Sequence, residues 1–141
     1  MVLERIESLH SIKKGYFVIF FLIAIDLVAK YLAEEYLSFG QAVPLIPILD
    51  LLLVFNSGIA FSILDFNNSF LSLSLSLIGL IIVAYLHSLY IKEESSINRF
   101  SLILIISGAL GNILDRLPDG VVTDFLFFHV GNTSFFIFNF A

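Results

Sequence analysis

The sequence predicts an all-α membrane protein: a bundle of four transmembrane helices, the fourth cut short, with a small extracytoplasmic β-hairpin or sheet. Three observations carry that reading. The 141 residues are 59% hydrophobic with a mean hydropathy of +1.01, against about 45–50% apolar in soluble domains. Only 13% are charged, roughly half the usual 25%. The apolar residues fall in runs long enough to span a bilayer, which takes about 20 residues, and the exception is a Pro-interrupted segment, 39–66.

The same composition excludes several functions. A net charge of −5 gives no basic surface for nucleic acid or a polybasic lipid clamp. The absence of cysteine removes disulfides, thiolate metal sites and cysteine nucleophiles. The first apolar run is too long, and carries Asp26 and Lys30, to read as the core of a cleavable signal peptide.

Residues 1–14 are polar and charged, and the first span follows at about 15–36. Asp26, Lys30 and Glu34 recur at intervals of four on one helix face, where opposite charges can meet. Two readings stand side by side: an ion pair that neutralises itself within the bundle, or a lysine that supports groups on a neighbouring helix. In the segment 39–66, Pro44 and Pro47 break any helix. Leu51–Phe55 and Ala60–Leu64 flank Asn56-Ser57-Gly58, a hairpin turn in which glycine supplies a positive φ. So apolar a hairpin is expected at the membrane surface rather than free in water.

The second span is about 70–90. Its LSLSLSL alternation mimics a strand, but the unbroken apolar length favours a helix. Ser69, Ser72, Ser76 and Gly79 then form a small-residue stripe that lets another helix approach closely. The third span, about 100–117, closes at the turn Pro118-Asp119-Gly120. The apolar end of the chain, 135–141, reads as the start of a fourth. All of it forms a single membrane domain.

Basic residues cluster in the N-terminal arm (Arg5, Lys13, Lys14) and the loop after the second span (Lys92, Arg99), with none between 39 and 66. The positive-inside rule therefore puts the N-terminus in the cytoplasm and the hairpin outside. At 1.5 Å per residue, Lys30 lies about 21 Å along the first helix from Tyr16 and Asp115 about 22 Å along the third from Phe100. Both approach the outer interface, where Asp124 and Asn139 also fall.

Ser107–Phe128 thus concentrates polar groups where they are costly: Asn112, Asp115, Arg116, Asp119 and Asp124. A charge at the centre of a membrane helix costs roughly 2.5–3.5 kcal/mol on insertion scales. Gly108, Gly111, Asn112 and Asp115 share one face of the third helix, while Arg116 lies about 100° round it. Only His129 offers an imidazole near the carboxylates, and hard cations want more oxygen ligands, so a metal site is disfavoured and no cofactor is implied. Serine chemistry lacks a base at evident spacing. Paired carboxylates sharing a proton could activate water, and the residues alone do not select the pair among Asp115, Asp119 and Asp124. A structural polar network is the competing reading.

Five blocks in order resemble the signal peptidase II family, the bacterial intramembrane aspartic proteases that process lipoproteins. Asp26-Leu27-Val28-Ala29-Lys30 resembles D-x-x-x-K; Asn56-Ser57-Gly58-Ile59-Ala60-Phe61-Ser62 resembles N-x-G-A-A-F-S, with Ile59 where a smaller residue is usual. Gly108 to Arg116 resembles G-x-x-G-N-x-x-D-R, Val122-Thr123-Asp124-Phe125 resembles V-x-D-F, and Phe138-Asn139-Phe140-Ala141 resembles the start of F-N-x-A-D.

The resemblance implies a four-helix protein of the bacterial inner membrane, monomeric, with its active site facing the periplasm. Its substrates would be diacylglyceryl prolipoproteins, cut before the lipidated cysteine. Asp124 would be one of two catalytic aspartates. Asn56, Asn112, Asp115, Arg116 and Asn139 would support the dyad and contact substrate, with Asp26, Lys30 and Gly58 as further supporting residues. In the family motif the second aspartate directly follows the position of Ala141, so these residues as written are expected not to cleave. The rival readings are a non-catalytic module that binds precursors, and a structural or transport subunit in which Asp26–Lys30 and Asp115–Arg116 merely pair.

Overall fold

The computed structural model describes residues 2–58 and 69–141. Three helices are long and apolar enough to cross a membrane, within Ile12–Tyr36, Ser72–Tyr90 and Ser96–Arg116. They belong to α1 (Val2–Tyr36), α2 (Ser69–Tyr90) and α3 (Ser96–Arg116). The polar arm 2–14 is thus helical, continuous with the first span, because nothing before Gly15 breaks it. Gly15 itself is helical for a packing reason: a Cβ there would collide with the Tyr90 phenol. Tyr90 is fully buried and donates to the Ile12 carbonyl at 2.8 Å, while the Tyr16 hydroxyl meets His87 Nε2 at 2.7 Å. These contacts pin α1 to α2 near the loop joining α2 to α3, where Ile19, Ile103 and Ile106 complete the core.

Two members of the small-residue stripe of α2 pack closely. Ser76 is buried, and a Cβ on Gly79 would lie 3.0 Å from Ile113 of α3. Helix α3 starts at the N-cap Ser95, whose side chain accepts from the Asn98 amide, and stops before Pro118. Gly120 turns the chain at φ +90°, its amide bonded to the Arg116 carbonyl at 2.9 Å.

A four-stranded antiparallel sheet, in the order β1 (Val43–Ile46), β2 (Leu49–Asn56), β3 (Val122–Val130), β4 (Thr133–Phe138), sits at the C-terminal ends of α1 and α3. A tight hairpin joins β1 to β2 around Pro47-Ile48, and β2 runs through Asn56 and pairs with β3. The expected return strand Ala60–Leu64 lies outside the described residues. Gly58 does have a positive φ, +96°, but it follows the end of β2.

The expectation for 135–141 is corrected. Residues Thr133–Phe138 are strand β4, and 139–141 belong to no helix. The reason is long-range: β3 offers an open edge, and Phe136 and Phe138 pair with Phe128 and Leu126 across it. The ladder bonds that edge offers, and the β-favouring Phe and Ile side chains of 135–138, favour a strand. Leu53, Phe125 and Leu126 of the sheet pack on Ala33 at the end of α1. That docking brings the polar face of β3 against α1 and α3.

Candidate functional site

The site is built on a stripe of α1. Asp26, Lys30 and Glu34 follow at i, i+4 and i+8, and each looks toward a different part of the fold. The Lys30 ammonium is 1% exposed and has three N–H donors. It meets Asp26 Oδ2 at 2.8 Å, Asn112 Oδ1 at 2.8 Å and Asp115 Oδ2 at 3.3 Å. Of the two readings of this lysine, support of a neighbouring helix holds together with the ion pair. It also occupies the space between two carboxylates that a bound cation would need. Glu34 does not pair with Lys30; its carboxylate accepts from the Thr123 hydroxyl.

The glycines of α3 allow this approach. A Cβ on Gly111 would lie 2.5 Å from Asp26 Oδ2, and one on Gly108 2.8 Å from the carbonyl carbon of Ala141. We expect Gly111→Ala to push the Asp26 carboxylate off Lys30 and lower stability by about 1–3 kcal/mol, the cost of overpacking. Thermal unfolding in detergent reads this directly; a midpoint equal to the parent's would contradict it.

Beyond Lys30 the network runs to Asp124, which is 6% exposed on the central strand β3. Asn139, just past β4, donates from Nδ2 to Asp124 Oδ1 at 2.7 Å, with the Asn112 Oδ1 and Thr123 carbonyl at 3.2 and 3.3 Å. Asn56, ending β2, donates to Asp124 Oδ2 at 2.9 Å, and its own Oδ1 accepts from the Gly58 amide at 2.8 Å. Each carboxylate oxygen of Asp124 is therefore held by a primary amide from a different strand connection. Burial raises the Asp124 pKa above its ordinary 3.8, and the two amide donors oppose that rise.

The other two candidate aspartates are committed elsewhere. Asp115 Oδ2 accepts from the Thr123 amide at 2.8 Å as well as pairing with Lys30. Asp119 caps its own turn through the Val121 amide at 3.1 Å. Asp115 pairs with Lys30 and not with the adjacent Arg116, against the rival in which those neighbours neutralise each other. Arg116 instead reaches the end of β2, where its guanidinium stands 3.2 Å from the Cβ position of Gly58. Its buried Nε has no hydrogen-bond partner among the described residues. His129 lies away from the site, 3.2 Å from Asp50 on β2. Sequence reasoning missed Thr123 and the role of Glu34; the i+4 spacing from Lys30 marked Glu34's face but not its partner.

A family model described as signal peptidase (SPase) II matches residues 18–141, and that span contains every group of the network. The chain belongs to the signal peptidase II family. It is similar to the lipoprotein signal peptidase of Francisella tularensis subsp. novicida (strain U112), at 44% identity over 92% of this chain and 83% of that protein. The lipoprotein signal peptidase of Brucella ovis is 33% identical over 94% of this chain and 82% of that protein. Among solved structures, a bacterial membrane enzyme determined by the in meso method at 2.3 Å resolution superposes with a TM-score of 0.77. It shares 27% identity and covers 91% of this chain and 77% of the other. The signal peptidase II chain described here is thus a protease of the lipoprotein-processing class, with three membrane-length helices.

Proposed function

We propose that this protein is an aspartic endopeptidase that removes signal peptides from diacylglyceryl-modified prolipoproteins at the outer leaflet of the bacterial inner membrane. The observation that carries the proposal is Asp124: a buried carboxyl with a raised pKa, both oxygens held by Asn56 and Asn139. Burial favours the protonated form of a carboxyl so placed, and the two amides keep it from swinging away from its target. It would act with a second aspartate, which the family motif puts directly after the position of Ala141. One carboxylate takes the proton of the attacking water, and the other protonates the departing amide.

The remaining groups have supporting roles. Lys30, Asn112 and Asp115 form the frame on which Thr123 and Asn139 are hung, and through them Asp124. Arg116, whose guanidinium lies beside Gly58 and whose buried Nε has no partner among the described residues, would meet the substrate backbone. The N-terminus is cytoplasmic and the sheet lies on the periplasmic side, in keeping with the basic residues of the arm and of the loop after α2.

The test is a cleavage assay in lipid or detergent on a diacylglyceryl-modified precursor. The full-length gene product should release the signal peptide, and residues 1–141 alone should not. Turnover by residues 1–141 would overturn the two-aspartate assignment. Binding of precursor by the full-length product without any cleavage would favour the precursor-binding reading instead.

A further inference from the structure

Thr123 is the residue before Asp124, and the structure ties it down from three directions. It is 2% exposed. Its amide donates to Asp115 on α3 at 2.8 Å. Its carbonyl accepts from Asn139 at 3.3 Å. Its hydroxyl donates to Glu34 near the C-terminal end of α1. Neighbouring residues on a strand point to opposite faces, so Thr123 faces α1 while Asp124 faces Asn56 and Asn139. β3 is paired on both edges with β2 and β4, so the motion these contacts leave is a shift of the sheet relative to α1. The hydroxyl–carboxylate bond, on the opposite face from Asp124, opposes that motion.

We infer that Glu34 and Thr123 form a positioning clamp that fixes the Asp124 carboxyl relative to the helices. Neither side chain touches the reacting atoms. The clamp rests on the proposed catalytic role of Asp124 and names two residues that this role does not itself assign. Its chemistry is specific: a hydroxyl donor at 123 and an oxygen acceptor at 34. Glu34 lies in an exposed part of α1, so removing the hydroxyl strands no buried charge. Misplacement of a reacting group by about 1 Å can cost on the order of 100-fold in rate. Loss of one of three tethers should cost less, about tenfold.

The experiment pairs isosteric loss with conservative retention in the full-length gene product. Thr123→Val and Glu34→Leu should lower kcat about tenfold with KM within about twofold of the parent. Thr123→Ser and Glu34→Gln, which keep donor and acceptor, should stay near the parent's kcat. A second arm needs no turnover: the carboxyl carbon signal of Asp124 in carbon-13 NMR, identified by its loss in Asp124→Asn. It should shift in Thr123→Val and Glu34→Leu and stay put in Thr123→Ser and in the remote control Asp119→Asn. An Asp124 signal unmoved in Thr123→Val would overturn the clamp, as would an equal fall in kcat for Thr123→Val and Thr123→Ser. If the parent does not cleave, the proposed function fails, and the carboxyl signal alone decides the clamp.

Discussion

Replacing Asp124 by Asn should reduce cleavage of a lipidated precursor by the full-length gene product about 10³-fold or more while leaving membrane insertion intact. Asn has the size of Asp and can still accept one amide hydrogen bond, so the sheet keeps its place on α1. It cannot take or give a proton, and general acid–base catalysis is typically worth about 10²–10⁴-fold. The remaining loss comes from the second amide. Asn56 and Asn139 both donate to Asp124, and a side-chain amide at 124 can accept from only one of them without turning its own NH2 toward the other. Retained activity would remove Asp124 from the chemistry and return the cluster to a structural role.

The same substitution has a signature in stability. Burial lifts the folded-state pKa of Asp124 above 3.8. Below the unfolded value the group is protonated in both states and contributes no pH dependence. Between the two values the folded chain holds a proton that the unfolded chain has released. Raising the pH through that window therefore lowers the stability of the parent. The Asn variant lacks this titration. The parent's stability relative to Asp124→Asn should fall as pH rises from about 3.8 through the folded pKa, and be flat above it. A difference that grows with pH in this range would show a carboxylate stabilised in its charged form.

The second large effect lies at Lys30. Its ammonium is enclosed between Asp26 and Asp115, with side-chain exposures of 2%, 5% and 13%. Asp26 has no partner other than Lys30 among the described residues. Lys30→Met, which keeps the volume of the side chain, should strand that carboxylate. Breaking a buried ion pair from one side costs about 3–5 kcal/mol. The variant should unfold at a markedly lower temperature in detergent and become sensitive to protease. Adding Asp26→Asn should recover part of the loss, because Asp115 still has the Thr123 amide. Unfolding of Lys30→Met within about 1 kcal/mol of the parent would show that the pair contributes little beyond packing.

Much of the fold was legible in order of residues. The three spans follow from apolar length, the end of the third from Pro118 and Gly120, and the contact of α2 with α3 from small residues at helical spacing. The start of the third at Ser96, within the expected charged loop, came only with the N-cap Ser95. Helical spacing also put Asn112 and Asp115 on one face with Gly108 and Gly111, and Asp26 with Lys30. The resemblance to the family then named Asp124, Asn56 and Asn139, which the structure places in direct contact. These readings succeeded because they are local. A helix repeats every 3.6 residues, so sequence spacing alone decides which side chains share a face.

What the sequence by itself determined is therefore the membrane character, the helices and the identity of the polar residues. Strand pairing was decided only by the tertiary structure. A strand makes its hydrogen bonds with another segment, so nothing within Leu49–Asn56 could say that it would join Val122–Val130. For Thr133–Phe138 it was the open edge of β3, a long-range partner, that decided a strand over the start of a helix. The partners within the site were settled in the same way. The carboxylate of Glu34 turned from Lys30, four residues away, to Thr123, because docking the sheet on α1 brought a buried hydroxyl within its reach.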